Sequence, residues 1–440
     1  MKKKILICFH NYYAINQYIK DFEILSKHYE IKLILSNYLI DKKREQTIRK
    51  DISKANIKEL FIIPFYEKKT TRSVFSIFKT QFYLKKLKDK IKFSDINCCL
   101  ADNKFFLWNR IIIEHLLPKE CLKIGITHEA TPLPLELFEK ILKGEDVFDV
   151  TKNVHKLRSD KTKEIKKNYS IIGKISNVYN RFMDTVLDRQ IIPYIFYGKK
   201  FTYKKYDLKT GQETDQFDYR ISFVYSSYFF WNEWYKNKNV FLCNLFSNCK
   251  CNDDHKEKIL FISSGPLYVK PLIEIDPDYK MLDDQILKIS NFINKLINEN
   301  PLLKKIDVKH HPRSTSENIE LFEKKLKNKI NKRIQIKILS KDEKLSNLSC
   351  EYKVAFGTMS SALLDLKRNC NKIDVFCLKS LSLKRFGNLY FLKLFNEGIN
   401  FYDDFKDELD INNENYQAYS QSVNRLNFSE LIDDLISDKF

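Results

Sequence analysis

Short apolar runs rich in β-branched residues alternate with segments of helical spacing along most of this chain. The runs are residues 4–9, 31–35, 60–64, 96–100, 123–126 and 221–225 in the first half, and 259–262, 305–308, 334–339, 354–356 and 373–378 in the second. Strands that alternate with helices are typical of βαβ units, whose neighbouring strands are parallel. The pattern therefore predicts an α/β fold built on parallel sheets.

The length of the chain, 440 residues, is too great for one ordinary domain. A polar and charged stretch at 249–258 is the best linker candidate. We therefore expect an N-terminal domain at 1–250 and a C-terminal domain at 251–440, the second ending in a helix at 426–436. Each is predicted to be a Rossmann-like, doubly wound parallel sheet. Two such domains would place a cleft between them, where ligands preferentially bind.

Residues 135–215 break the alternation and are rich in Lys, Tyr and Phe. One interpretation is a helical insertion that packs on the first domain. The other is a basic and aromatic surface that rests on a membrane interface, where Tyr and Lys side chains are well accommodated. Both interpretations stay open, and the second makes an anionic membrane surface a candidate partner.

The chain carries a formal net charge of +20, from 77 Lys and Arg against 57 Asp and Glu. Such a charge favours polyanions, whether nucleic acid, anionic lipid headgroups or acidic glycans. Lysine is spread over every segment of the chain. A generally lysine-rich composition therefore explains the excess of positive charge equally well. Glycine is scarce, with nine residues, and neither a P-loop nor a G-x-G-x-x-G motif occurs. A Walker-type NTPase and a standard dinucleotide site are therefore disfavoured.

The ten cysteines include no C-x-x-C pair that would suit a zinc site. Cys8, Cys121, Cys243 and Cys377 lie in apolar runs and are predicted to be buried and reduced, which favours a cytosolic location. The apolar run near the start is too short for an export signal, and no stretch approaches the roughly 18 apolar residues of a membrane span. We therefore expect a protein that is cytoplasmic, or peripheral on the inner face of the cell membrane.

Polar side chains follow a predicted strand of the second domain at His311, Pro312 and Arg313. In an open parallel sheet, ligands bind outside the carboxyl ends of the strands. Proline biases the preceding residue away from helix, which keeps the imidazole of His311 at the strand end. Arg313 can hold a phosphate through two hydrogen bonds, and a histidine can offset charge on a leaving phosphate. The segment is a candidate phosphate site; the alternative is a basic strand end without a ligand.

A second candidate segment, with Gly357, Thr358, Ser360 and Ser361, follows a later strand of the same domain. Glycine lets the backbone approach an anion closely. Either serine can cap the following helix or turn its hydroxyl towards a phosphate at the helix N-terminus. Capping explains one serine but not the whole run. A third set of donors follows the first strand of the second domain: Ser263, Ser264 and Gly265.

These motifs resemble those of bacterial sialyltransferases and polysialyltransferases of the GT-B fold, which carry a His-Pro after one strand and a serine pair after a later one. The same two features occur in CDP-glycerol glycerophosphotransferases and related CDP-polyol enzymes. The stretch His-Glu-Ala-Thr-Pro-Leu at 128–133 looks somewhat like the His-Gly-Thr-Pro-Leu stretch that carries the catalytic histidine there. The resemblance covers the architecture and these short motifs.

The resemblance implies an inverting glycosyltransferase that moves sialic acid, or a related acidic sugar, from a CMP-sugar to a surface glycan such as a capsule or lipooligosaccharide. In that family the His-Pro histidine, here His311, and the serine pair, here Ser360 and Ser361, contact the CMP. The N-terminal domain would hold the acceptor and the C-terminal domain the nucleotide sugar. No cofactor and no metal are expected, since neither an Asp-x-Asp nor a His/Cys cluster stands at a strand end.

In such sialyltransferases the general base comes from a pair of acidic residues followed by glycine. That motif does not occur in this sequence, so no motif identifies the base. A carboxylate or imidazole across the cleft from the donor phosphate is required. His128 and Glu129, at the end of a first-domain strand, are candidates, and burial would raise the pKa of such a carboxylate. Asp276, Asp278 and Asp102 are rivals. Glu129 is alternatively a carboxylate that stabilises a helix N-terminus.

Two other functions stay open. A CDP-glycerol-type transferase of polyol phosphate would use the same phosphate site. A basic nucleic-acid-binding protein would use residues 135–215 as its surface, would bind with steep salt dependence and would not need His311. The absence of any RNA- or DNA-binding signature counts against the latter function.

Overall fold

The computed structural model describes 22 stretches of the chain. They are residues 2–9, 12–36, 40, 42–57, 59–63, 74–102, 107–127, 143–145, 178–179, 191–198, 217–234, 239–245, 257–263, 281–310, 314, 316–340, 343, 345–357, 360–370, 372–378, 398–402 and 423–440. The described residues fall into two compact units. One holds those up to Leu245 together with Asn424–Phe440, and the other holds those from Glu257 to Val423.

The first unit is a parallel sheet with helices between its strands. Its strands are β1 (Lys4–Phe9), β2 (Glu30–Ser36), β3 (Glu59–Ile63), β4 (Cys98–Asp102), β5 (Leu122–Thr127), β6 (Tyr219–Ser222) and β7 (Val240–Asn244). Its helices are α1 (Tyr12–Ser26), α2 (Lys42–Lys54), α3 (Val74–Lys90), α4 (Leu107–Ile111), α5 (Ile192–Tyr197) and α6 (Tyr225–Trp234). A 3-10 turn spans Phe93–Asp95, and a π-helical turn, Ile112–Leu116, extends α4.

The strands lie in the order β7-β6-β5-β4-β1-β2-β3, and every described pair is parallel. Along the chain, β2 and β3 are added on one side of β1, and β4 is then added on its other side. This is a doubly wound sheet whose direction of winding reverses between β1 and β4, the place where such sheets bind ligands.

Both faces of this sheet are covered, which explains why its strands read as nearly continuous apolar runs. On β1, Ile7 and Phe9 face α1, where Phe9 packs against Tyr18 at 5.3 Å between ring centroids. Leu6 and Cys8 face the opposite layer, which contains residues of α3 and α4.

The second unit has the same design. Its strands are β8 (Lys258–Ile262), β9 (Lys305–Lys309), β10 (Gln335–Ile338), β11 (Val354–Gly357), β12 (Asp374–Leu378) and β13 (Ile399–Tyr402). Its helices are α7 (Met281–Glu299), α8 (Ser316–Lys327), α9 (Leu345–Leu348) and α10 (Ser361–Asn369). The strand order is β10-β9-β8-β11-β12-β13, and all described pairs are parallel. The reversal lies between β8 and β11.

Helix α7 shows how sequence pattern becomes packing in this unit. Ile286, Ile289, Phe292 and Ile293 recur at helical spacing and are all buried. Phe292 lies against Phe356 of β11, with 4.9 Å between ring centroids. The predicted α/β class with two Rossmann-like, doubly wound parallel sheets is therefore confirmed. Two such units are the components from which a GT-B fold is built.

The C-terminal segment corrects one prediction. Strand β14 (Leu426–Asn427) pairs with β7, and helix α11 (Phe428–Lys439) packs in the core of the first unit. The ring of Phe428 lies 5.5 Å from that of Tyr18, and Tyr29 donates a hydrogen bond to Asp433. We predicted this helix as the end of the second domain. The prediction was wrong because its apolar face matches α1 and β7, which are distant in sequence.

Strand boundaries differ from prediction near residue 221. Strand β6 ends at Ser222, and Tyr225, predicted as strand, begins α6. Phe223 and Val224 are also buried, so the apolar run continues through the turn and hides the end of the strand. Strands β7 and β13 were also not predicted, although each is a short and largely apolar run. Leu426–Asn427, predicted as the start of the terminal helix, forms β14.

Most of the predicted insertion at 135–215 lies outside the described residues. Its described helix, α5, contacts α3 through the ring of Phe196, which lies 5.9 Å from that of Phe78. No helix within the described ranges is both long and apolar enough to cross a membrane.

The described cysteines are of two kinds. Cys8, Cys121, Cys243 and Cys377 are buried free thiols, as predicted, and so are two others, Cys98 and Cys99. Burial raises the pKa of Cys243 to about 12, so this thiol is protonated and unreactive. Cys350 and Cys370, for which no state was predicted, are disulfide-bonded.

Candidate functional site

The carboxyl edge of the second sheet, at the reversal between β8 and β11, holds three of the predicted site residues. Gly357 ends β11, Ser360 precedes α10 and Ser361 begins it. Ser263 follows the neighbouring strand β8. Topology therefore brings two of the three predicted segments to one point of the sheet.

Gly357 is required by the contact between two strands. A Cβ atom at this position would lie 2.5 Å from the carbonyl oxygen of Ile262 and 3.2 Å from its Cβ. Only a residue without a side chain lets β11 approach β8 this closely. We predicted that this glycine allows an anion to approach the backbone. Among the described residues, the approach that it allows is that of β8.

Ser360 caps helix α10. Its backbone is extended, with φ −146° and ψ 143°, and its hydroxyl accepts a hydrogen bond from the amide of Ala362 at 3.2 Å. Its carbonyl oxygen accepts a second bond from the amide of Leu363. The first turn of the helix contains no acidic residue, so nothing in that turn neutralises the positive end of the helix dipole. One of the two serines is thus used in capping, as one alternative predicted.

Ser263, at the same edge, has a hydroxyl that the described part of the fold leaves unsatisfied. It is 2% exposed, and its amide donates a hydrogen bond to the carbonyl oxygen of Lys309 at 3.0 Å. Its hydroxyl is buried and has no hydrogen-bond partner in the described part of the chain. Leaving a buried hydroxyl unpaired costs about 1–3 kcal/mol. Such a cost is recovered when a ligand supplies the partner.

His310 directly follows the end of β9. His310 is buried, and its ring meets that of Phe322 edge-on, 5.3 Å between centroids. Lys309, also buried, donates a hydrogen bond to the carbonyl oxygen of Ser340 at 2.9 Å. His310 is therefore part of the packing between β9 and α8. His311, the histidine we predicted to bind phosphate, stays a prediction.

A buried polar network lies in the same sheet, away from its carboxyl edge. Tyr352 donates a hydrogen bond to Asp307, whose other oxygen lies 3.2 Å from the amino group of Lys305. Burial, followed by the bond to Asp307, raises the pKa of Tyr352. Lys258 lies 4.7 Å from the centre of the Tyr352 ring and 2.9 Å from Glu351. Sequence analysis missed this network, because nothing in the sequence pairs residues of β9 with the approach to β11.

The first unit also has buried polar residues where its central strands end. Asp102 ends β4 beside the reversal point, Thr127 ends β5, and Ser222 ends β6, all with little exposure. The hydroxyl of Ser222 has no hydrogen-bond partner among the described residues. Asn109 on α4 is fully buried, and both atoms of its side-chain amide are likewise unpartnered within the described ranges. Asp102 is the one base candidate that the structure places.

The remaining predicted residues lie outside the described ranges, and their roles stay predictions. They are His128, Glu129, Ser264, Gly265, Asp276, Asp278, His311, Pro312, Arg313 and Thr358. Among the described residues, no group of three or more His, Cys, Asp or Glu side chains could hold a metal ion.

No protein-family model matches the sequence, and no curated protein matches it. Solved structures resemble the chain distantly. S. aureus MnaA with UDP shares 11% identity, with a TM-score of 0.44 over 97% of this chain and 100% of that one. Acinetobacter baumannii MurG shares 9%, with a TM-score of 0.42 over 99% of each chain. The Neisseria meningitidis UDP-GlcNAc 2-epimerase bound to UDP-GlcNAc shares 10%, with a TM-score of 0.42 over 85% and 82%. Similarity at this level does not assign an activity.

Proposed function

We propose that the chain is an inverting glycosyltransferase of the GT-B class, with a CMP-activated acidic sugar such as sialic acid as donor and a capsule or lipooligosaccharide glycan as acceptor. In this reaction the acceptor hydroxyl attacks the anomeric carbon, the bond to the CMP phosphate breaks, and a base takes the proton of the hydroxyl. The enzyme would need a binding site for the leaving phosphate and a general base near the acceptor hydroxyl.

One observation carries the proposal: the hydroxyl of Ser263 is buried and has no hydrogen-bond partner within the described ranges, and it lies at the reversal point of the second sheet, beside the strand that leads to α10. A phosphate oxygen is a strong hydrogen-bond acceptor and can satisfy this donor. The positive end of the α10 dipole, with no acidic residue in its first turn, favours the same anion. These features support a phosphate-bearing ligand at this edge.

The predicted residues would complete this phosphate-binding site. His311 and Arg313 would offset the charge that develops on the leaving phosphate. Ser361 and Ser264 would donate hydrogen bonds to it, while Ser360 holds the helix end in place. Thr358, Gly265 and Pro312 would shape the loops around it. No metal is needed in this scheme, because side chains and a helix end carry out the charge stabilisation.

The base would come from the first unit or from the loop with Asp276. Glu129 and His128 are the candidates by resemblance. Asp102 is supported by its burial at a strand end beside the reversal point of the first sheet. A carboxylate can serve as the base when it lies within hydrogen-bond reach of the acceptor hydroxyl. We place the reaction in the cytoplasm, where sugar nucleotides and glycan precursors meet.

The experiment is a thermal-shift titration with CMP, CDP, UDP and GDP. Ser263→Ala removes the unpaired hydroxyl, so the free protein should be at least as stable as wild type, while stabilisation by CMP falls. Ser290→Ala is the matched control, because Ser290 is equally buried but already donates to the carbonyl oxygen of Leu287 at 2.7 Å. It should lose stability and keep the CMP response.

His311→Ala should abolish the CMP response in a folded protein. Selective stabilisation by CMP would support the CMP-sugar donor, and selective stabilisation by CDP would favour the CDP-glycerol-type transferase. Indifference to all four nucleotides would overturn the proposal.

A further inference from the structure

One face of α5 exposes apolar side chains to solvent. Ile191 immediately precedes α5 and has helical backbone angles, φ −73° and ψ −55°. With Tyr194 and Ile195 it has the spacing i, i+3 and i+4, so the three side chains lie on one side of the helix. Tyr194 and Ile195 are each 61% exposed. An apolar helix face ordinarily packs on the core. Here it points outward.

Helix α3 extends this apolar face. The ring of Phe196 on α5 lies 5.6 Å from that of Phe82 on α3, which places the two helices side by side in the first unit. Phe82 is itself 57% exposed. Aromatic and aliphatic side chains of both helices thus form one exposed patch.

Positive charge borders the patch. Helix α3 contains Lys79, Lys85, Lys86, Lys88 and Lys90 against a single acidic residue, Asp89. Lys85 and Lys86 are exposed and follow Phe82 by three and four residues, so they share its side of the helix. We call this region the α3–α5 surface: Phe82, Lys85, Lys86, Ile191, Tyr194 and Ile195.

We propose that the α3–α5 surface docks the protein on an anionic lipid bilayer. Aliphatic and aromatic side chains enter the boundary between headgroups and acyl chains, while lysines beside them attract anionic headgroups. Single-stranded nucleic acid is bound through flat rings on which bases stack. Two of the four apolar side chains here, Ile191 and Ile195, are aliphatic and offer no ring for a base to stack on, which favours lipid. This docking is additional to glycosyl transfer and does not depend on it.

The test is co-sedimentation of the full chain with vesicles. Wild type should bind vesicles of phosphatidylcholine and phosphatidylglycerol mixed in equal parts, and should bind less to phosphatidylcholine alone. Tyr194→Asp combined with Ile195→Asp should weaken binding about tenfold or more, because the inserted side chains become charged. Lys85→Glu combined with Lys86→Glu should weaken binding to the anionic vesicles about thirtyfold.

Matched controls come from the second unit. Leu302 and Leu321 are 55% and 44% exposed, and Lys329 and Lys332 are exposed lysines. Leu302→Asp with Leu321→Asp repeats the apolar change, and Lys329→Glu with Lys332→Glu repeats the charge change. Both control variants should bind vesicles like wild type. All variants should keep the melting temperature, since every substituted side chain is exposed.

Three outcomes would overturn the proposal. The first is no binding to anionic vesicles by a folded wild type. The second is binding that the control variants weaken as much as the α3–α5 variants. The third is that a single-stranded oligonucleotide or a second copy of the chain binds in place of lipid, with the same α3–α5 variants abolishing that interaction. A separate nucleotide titration on the same samples shows whether the donor site is intact.

Discussion

The phenol of Tyr352 donates a hydrogen bond to Asp307 at 2.5 Å, and this bond joins the approach to β11 with β9 across the intervening strand β8. The two residues are 45 positions apart in sequence. The bond spans the three strands whose carboxyl ends carry the candidate phosphate site. It therefore holds the sheet beneath that site.

Replacing Tyr352 with Phe should destabilise the protein by about 1–3 kcal/mol, because it leaves one oxygen of a buried carboxylate without its hydroxyl donor. Urea denaturation at neutral pH measures the loss. Tyr352→Phe in an Asp307→Asn background should cost clearly less, since the two residues act as a pair. Equal losses in both backgrounds would contradict a role for the bond.

Stability should fall at alkaline pH through Tyr29. Burial, and then the hydrogen bond to Asp433, raise the pKa of Tyr29 from 10.0 to about 12. The folded state thus keeps a proton that the unfolded state loses first. The contribution of Tyr29 is complete below pH 10 and is lost as pH rises towards and through about 12. Denaturation across this window should show a steeper decline for wild type than for Tyr29→Phe. Parallel declines would rule the linkage out.

Ser360→Asp should separate stability from ligand binding. Aspartate caps a helix as well as serine does and adds favourable charge at the N-terminus, so the free energy of unfolding should stay within about 1 kcal/mol of wild type. The same carboxylate would repel a phosphate at that helix end, and the thermal shift with CMP should disappear.

The control for this variant is Asn427→Asp, which changes a helix cap in the other unit: Asn427 accepts a hydrogen bond from the amide of Ser429 at 3.1 Å. It should keep the response to CMP. A Ser360→Asp variant that binds CMP normally would place the phosphate elsewhere.

The terminal helix should be essential to the first unit. Phe428 is fully buried between Tyr18 and Phe223, with 5.3 Å between its ring and that of Phe223. Phe428→Ala should cost about 3–5 kcal/mol, the range for a buried phenylalanine. Phe440→Ala, at a ring that is 49% exposed, should change the melting temperature little. Similar losses from both substitutions would contradict the observed packing.

Local pattern was sufficient to predict the α/β class and most strands of both sheets. Burial on both faces makes a parallel strand a short apolar run, and that signal depends only on neighbouring residues. The capping of α10 was predictable for the same reason, since Ser360 bonds to an amide two residues away. Where an apolar run continued through a turn, as at Phe223, the local signal misplaced the end of the strand.

The tertiary structure alone decided which residues meet. Sequence placed Ser263 and Gly357 at the ends of two strands, but only the strand order made those strands neighbours. It also left the hydroxyl of Ser263 buried and, among the described residues, without a hydrogen-bond partner. The same holds for Tyr352 with Asp307, and for α11 on the first unit. Contacts of this kind join residues that are far apart in the chain. They therefore leave no periodic pattern of apolar residues in the local sequence. The sequence thus determined the elements, and the packing of distant elements determined the site.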